Sequence, residues 1–301
     1  MEKIKNLVKL VVFSNDLIYF LYINFTIPMF KKKIKDKVGY KIFKHALNRK
    51  EVVEEVISRR KLKNTDTCHV VASGWSLNYS LSLISDDSFV IGFNYAALSN
   101  IKFDVYFFEI GSDKFEELSN NSLILAKNKL LKEGSLIYFK NLWEDCNDVD
   151  FIVENWMEVS RIIKDRFYSI SSNYFIDRVV SHAFNDNSKF LPQICSTTVT
   201  SIILAYRAGF KKIIVHGLDF GGYHFYGVDG FIPNDAVKDL VQVSLSNTIT
   251  KDTVHKTAQG IGMKEIIPSM YEYLKIKDVE LLSATEKSPL SKIIPVYEKD
   301  L

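Results

Sequence analysis

Short apolar runs, each stopping at a glycine or a polar residue and separated by helix-patterned segments, constrain this chain most. Residues 68–72 (CHVVA) stop at Ser73-Gly74, residues 89–93 (FVIGF) at Asn94, and residues 103–108 at Glu109. Residues 213–215 (IIV) run into His216-Gly217 and then a single carboxylate, Asp219. Residues 135–139 and 279–282 repeat the pattern. Helical patterns cover residues 114–131, 197–208 and 264–274, and Gly209 is a natural carboxyl-terminal stop for the second. Strands alternating with helices predict an α/β domain around a largely parallel sheet. Ligands of such sheets bind beyond the carboxyl ends of the strands. The four strand ends Ser73-Gly74, Asn94, Glu109 and Gly217-Leu218-Asp219 are therefore expected to face one crevice.

Bulk properties narrow the classes. The chain has 301 residues, 47% hydrophobic and 25% charged, with 21 Phe and 15 Tyr but only 6 Pro. That suits a globular chain with a sizeable core and argues against long disordered regions. A net charge of +3 does not indicate a nucleic-acid binder. Cys68, Cys146 and Cys195 are widely spaced, so neither a zinc site nor a disulfide framework is expected.

Residues 1–63 read as a separate helical extension, and residues 64–301 as the main domain. Residues 7–30 are apolar and aromatic but interrupted by Lys9, Asn15, Asp16 and Asn24. Asp16 near the middle of a spanning helix would cost about 3 kcal/mol. Lys31, Lys32, Lys33, Lys35, Lys37, Lys41 and Lys44 follow. Apolar residues beside such a cluster suit a segment lying on an anionic cytoplasmic leaflet, through about residues 7–45. A helical hairpin packed on the main domain and a true span are the alternatives. Residues 51–63 read as an exposed charged helix. Irregular residues 141–190 and polar residues 228–254 are expected to form lid elements.

Several residues at the strand ends carry chemistry. Ser73-Gly74-Trp75-Ser76 lacks both the GxGxxG spacing and a P-loop lysine. Its backbone N–H groups are candidates to receive phosphate, and a plain strand-to-helix turn is the alternative. Asn94 and Glu109 suit hydrogen bonds to a sugar or nucleotide, or equally a helix cap. Asp219 suits fixing a loop or a ribose hydroxyl. Gly221-Gly222 frees the loop that follows, and Tyr223 and Tyr226 offer neutral O–H donors to a departing phosphate, or ordinary packing. His69 and His216 read as core or supporting groups, and His224 as a loop residue open to solvent. His255, after a long polar stretch, is a candidate general base.

The order of these pieces resembles the bacterial family-42 sialyltransferases over about residues 68–295. The pieces are Ala72-Ser73-Gly74-Trp75-Ser76-Leu77, Gly92-Phe93-Asn94, the segment from Thr197 to Gly-Phe-Lys-Lys-Ile, Gly217-Leu218-Asp219-Phe220, two tyrosines, His255 and Ser288-Pro289. The resemblance implies a Rossmann-like α/β fold with a small lid. It implies an inverting, metal-independent transfer of an acidic sugar from a CMP-linked donor to a lipooligosaccharide or capsule glycan. No resident cofactor is implied, since the CMP-sugar is a substrate. His255 would be the general base, with Tyr223 and Tyr226 on the leaving phosphate. Ser73, Gly74, Asn94, Glu109, Thr197, Gly217, Asp219 and Ser288 would hold the donor. The chain departs from the family at Ser73, where asparagine is usual, at Gly221, where the first tyrosine falls without gaps, at Glu109, where a second asparagine is usual, and at Ile194, where an acceptor-binding arginine is usual. The donor sugar is thus sialic acid or a related 2-keto sugar such as Kdo.

Two other classes stay open. One is an inactive nucleotide-sugar-binding protein of polysaccharide assembly, with Glu109 and Ile194 as its signs. The other is a metal-dependent phosphotransferase, which the lack of a DxD cluster at a strand end disfavours. The implied location is cytoplasmic, at the inner face of the membrane. A homo-oligomer is a further expected partnership.

Overall fold

A computed structural model describes residues 46–47, 49–99, 101–109, 134–140, 160–163, 165–167, 173–185, 191–227 and 261–298. At its centre lies β2 (Thr67–Val71), flanked by β3 (Phe89–Phe93) and β9 (Lys212–His216). The sheet extends outward through β4 (Val105–Glu109), β5 (Leu136–Lys140), β6 (Ser160–Ile163) and the short edge strand β1 (Ala46–Leu47). On the other side β10 (Glu280–Ser283) closes it. The order is β1-β6-β5-β4-β3-β2-β9-β10, and every pairing is parallel. A second, two-stranded parallel sheet pairs β7 (Asp165–Phe167) with β8 (Leu191–Gln193).

Parallel strands are covered on both faces, so their sequences are continuous apolar runs rather than alternating ones. All of β3 is buried, and so is β9 from Ile213 onward. The chain leaves β2 toward β3 and later returns to β2's other side as β9. The strand order therefore reverses between β2 and β9, the place where open α/β sheets form their ligand crevice.

Helix α3 (Thr197–Arg207) is buried from Thr197 to Ala205 and packs on β2, β8 and β9. It ends in a Schellman motif: Gly209 at φ 83° gives its N–H to Tyr206, and Phe210 gives its N–H to Ala205. Residues 208–211 then turn the chain straight into β9, so α3 runs antiparallel to the strands. Its amino end points to the carboxyl edge of the sheet. Helix α4 (Met263–Ile276) leads into β10 in the same sense, and Ser196 Oγ lies 2.9 Å from Met263 Sδ, so the two amino ends meet. Helix α2 (Ile176–Asn185) packs on α4 through Phe184 and Tyr273, whose rings stack at 4.6 Å.

Three expectations change here. The boundary between Lys63 and Asn64 does not separate two units. Helix α1 (Arg49–Lys63) buries Val52 and Val56 in the main core, and Lys63 Nζ bonds buried Asp104 at 2.9 Å ahead of β4. Ala46 and Leu47 pair with Ile162 and Ile163 at the sheet edge. Residues 46–63 therefore belong to the sheet unit, and α1 is exposed on one side only. Within 141–190, β6 joins the main sheet and α2 joins the core, so neither is a lid element. The strand expected at 103–108 runs from Val105 to Glu109. The membrane-surface segment 7–45, the helix at 114–131 and the lid at 228–254 lie outside the described residues. Among the described residues no helix is long and apolar enough to cross a membrane.

Candidate functional site

At the switch point the turn after β2 and the turn after β9 are bonded to each other. Ala72 N–H donates to His216 C=O and Gly74 N–H to Gly217 C=O, both at 2.9 Å. The contact is too close for side chains. A Cβ on Gly74 would lie 2.4 Å from both Gly217 O and Asp219 Oδ2. One on Gly217, at φ 62°, would lie 2.6 Å from Ala72 O. Gly74 thus serves loop-on-loop packing on that side.

Asp219 ties the knot. It is 8% exposed, and its Oδ2 accepts the Ser76 N–H at 2.7 Å. Its Oδ1 lies 3.1 Å from Ser288 Oγ, which also reaches Leu218 C=O at 2.9 Å and accepts from Leu290 N–H at 3.2 Å. One carboxylate so joins the loops after β2, β9 and β10. Burial raises its pKa, and the bonds from Ser76 and Ser288 oppose that rise.

Behind the turn lies a buried histidine chain. His216 Nδ1 is 2.9 Å from Ser80 Oγ, and His216 Nε2 is 2.8 Å from His69 Nδ1. Ser80 Oγ–H donates to Leu77 C=O, so it accepts from His216 Nδ1–H, and His216 Nε2 accepts from His69 Nδ1–H. Burial lowers both pKa values, that of His69 to about 4, with the other histidine adding to the drop at His216 and Lys63 at His69.

The loop after Asp219 folds back over the turn. Residues 220–222 all have positive φ. His224 then bridges to Gly74, Phe225 N–H donates to Ser73 C=O at 2.9 Å, and Asn78 Nδ2 donates to Phe225 C=O at 2.8 Å. His224 Nδ1 sits 3.0 Å from Ser73 Oγ and 3.2 Å from Ser73 C=O. Its ring stacks on Tyr226 at 5.1 Å, and Tyr95 sets an edge against both rings at 5.3 and 5.7 Å. Burial lowers the His224 pKa, partly offset by the bond to Ser73. Asn94, at φ 53°, begins the turn carrying Tyr95 and accepts from Tyr106 O–H through its backbone carbonyl. Its side-chain Oδ1 is buried without a hydrogen-bond partner among the described residues.

No family model matches the chain, and no curated protein matches it either. Solved structures of similar layout are sialyltransferases. The α-2,3-sialyltransferase Cst-I of Campylobacter jejuni is 14% identical with a TM-score of 0.48, the match covering 79% of this chain and 83% of that one. CstII of the same organism, in complex with the substrate analogue CMP-3FNeuAc, is 17% identical with a TM-score of 0.44, covering 77% and 86%. CstII in complex with a trisaccharide acceptor and CMP is 16% identical with a TM-score of 0.43, covering 78% and 88%.

Of the residues singled out in the sequence, Ser73, Gly74, Gly217, Asp219 and Ser288 form one bonded cluster, and Tyr226 and Asn94 flank it through Tyr95. Asp219 and Ser288 spend their polar atoms on each other and on neighbouring loops. Tyr223 stands at the rim, 52% exposed, while Tyr226 is 3% exposed. Thr197 is buried in the first turn of α3. Glu109 ends β4, paired with Lys140, and its side chain lies outside what is described. His255 also lies outside the described residues. His224 and Tyr95 were not among the site residues, and His224 is partly buried rather than open to solvent. Their signal in sequence was adjacency alone, Tyr95 next to Asn94 and His224 between two tyrosines.

Proposed function

We propose that this chain is an inverting, metal-independent glycosyltransferase. It moves an acidic 2-keto sugar, sialic acid or Kdo, from a CMP-linked donor to a cell-surface glycan such as lipooligosaccharide or capsule. The observation that carries the reading is the knot at the strand-order reversal. Asp219 locks together the three loops that bear the ordered family motifs, beside the open acceptor Asn94 Oδ1 and the His224–Tyr226 stack. The motifs that meet there lie up to about 215 residues apart in the sequence.

In this reading the donor lies over the Gly74–Gly217 contact. Asn94 takes a donor N–H or O–H, and Tyr226 with the adjacent loop meets the phosphate. CMP is a good leaving group, so orientation contributes on the order of 7 kcal/mol to lowering the barrier. His255 removes the acceptor proton as general base, a contribution of about 10²–10⁴ in rate. Buried Ile194 occupies the usual arginine place, so the acceptor is held by other groups. Residues 7–45 would hold the enzyme at the inner face of the cell membrane.

A thermal-shift comparison of CMP, UDP and GDP tests the nucleotide. Selective stabilisation by CMP is expected, and a preference for UDP or GDP removes the proposal. Turnover of CMP-sialic acid and CMP-Kdo with a glycolipid acceptor then separates enzyme from inactive binder. His255→Ala should abolish transfer while CMP still binds; unchanged turnover rejects its role as base.

A further inference from the structure

His224 occupies a position that motif order does not explain. Its backbone bridges Gly74, and its Nδ1 faces both the hydroxyl and the carbonyl of Ser73. A carbonyl only accepts, so Nδ1 carries the proton of the neutral ring. Nε2 is left with a lone pair, and no group among the described residues takes it. The groups facing the ring are Ser73 from the turn after β2, Tyr95 from the turn after β3, and Tyr226 from its own turn. Asn78 bonds the next carbonyl, that of Phe225. Asp219, on the far side of Gly74, is engaged by Ser76 and Ser288.

The turn itself has fewer donors than its sequence suggests. Gly74 N–H goes to Gly217 C=O and Ser76 N–H to Asp219. These two backbone donors are therefore not open to an anion, and side chains beside the turn must supplement what backbone N–H groups remain.

We propose that His224 is a phosphate ligand of this crevice. As a phosphate monoester binds, the ring takes a proton from solvent on Nε2 and donates that N–H to the phosphate, while Nδ1–H stays on Ser73. The inference rests on the CMP-donor reading and adds a regulatory consequence. The donor's phosphodiester carries one negative charge, whereas the monoester left after transfer approaches two above its second pKa of about 6. An imidazole that becomes cationic grips the product more tightly than the donor. Release of CMP is then fastest at higher pH.

The test is calorimetric titration of CMP into the full chain between pH 7.0 and 8.5, in buffers of different ionisation enthalpy, with cytidine as the phosphate-free control. Wild-type protein should take up protons on binding CMP, so affinity should tighten as pH falls, several-fold per pH unit and at most about tenfold. Cytidine affinity should stay flat. His224→Gln keeps an N–H donor but does not titrate. It should bind CMP with less than about twofold change over the same range and no proton uptake. Persistent uptake and slope in His224→Gln would place the proton on the phosphate and overturn the inference, leaving the CMP site intact. Absence of proton uptake in the wild type overturns it without any variant. A folded wild type that binds no CMP overturns the donor reading as well.

Discussion

Asp219 offers a sharp test, because the structure separates its hydrogen-bonding role from its charge. In Asp219→Ala the Ser76 N–H, on a fully buried residue, loses its acceptor, while Ser288 O–H still has Leu218 C=O. One stranded buried donor costs about 1–3 kcal/mol, toward the upper end when the lost partner is charged. Asp219→Asn behaves differently. Its amide oxygen still accepts from Ser76, and its NH₂ donates to Ser288 Oγ, whose proton goes to Leu218. The sign of the charge contribution follows from the raised pKa. A carboxyl that titrates higher folded than unfolded binds more protons folded, so its ionisation destabilises the fold above that pKa, and the asparagine escapes this penalty. The expected costs are about 2–3 kcal/mol for alanine and less than about 1 for asparagine, read from urea unfolding at pH 7. An asparagine variant as unstable as the alanine one would show instead that the negative charge itself holds the loops.

Three further outcomes follow from the same geometry. Gly74→Ala forces a Cβ to within 2.4 Å of Gly217 O and Asp219 Oδ2, so overpacking of about 1–3 kcal/mol is expected, measured by urea unfolding. Asp104→Ala leaves the largely buried Lys63 ammonium with backbone carbonyls alone and takes the acceptor from the Val90 N–H, so a loss of about 3–5 kcal/mol should appear in the same assay. His69 and His216 are neutral when folded, whereas unfolded histidine binds protons below about 6.5. Stability should therefore fall as pH drops from 6.5 toward the folded value near 4. The fall should be smaller in His69→Gln, and equal slopes in the two proteins would remove the histidine chain from the account.

Much of the sheet was legible because buried parallel strands announce themselves as apolar runs. The run at 89–93 coincides with β3, and those beginning near 68 and 213 mark β2 and β9 within a residue. Phe103 misled because its apolarity serves a different contact: its ring covers Gly92, where a Cβ would lie 2.3 Å from it. Helix α1 hid its packing face because only Val52 and Val56 are fully buried among many charges. Asp219 was visible as a carboxylate at a strand end, but its partners Ser76 and Ser288 lie 143 and 69 residues away. His224 was harder still. Nothing local distinguishes a loop histidine from one that closes on Gly74, since the bridge spans two strand ends brought together only by the crossover.

Asn94 carries the last separable question, whether its side chain or only its backbone is needed. At φ 53° a residue with a Cβ sits about 1–2 kcal/mol above its ordinary conformations, and glycine removes that cost. The backbone carbonyl that receives Tyr106 O–H is present whatever the side chain. Asn94→Gly should therefore fold at least about as stably as the wild type, within about 1 kcal/mol. If Oδ1 is held for a ligand, this stable variant must nonetheless bind CMP or its sugar conjugate more weakly, by about tenfold for one hydrogen bond worth 1.4 kcal/mol. Asn94→Ala should lose both affinity and stability, which separates strain from recognition. A glycine variant with wild-type nucleotide affinity would mean that this buried oxygen faces no ligand, and that the crevice reads its donor elsewhere.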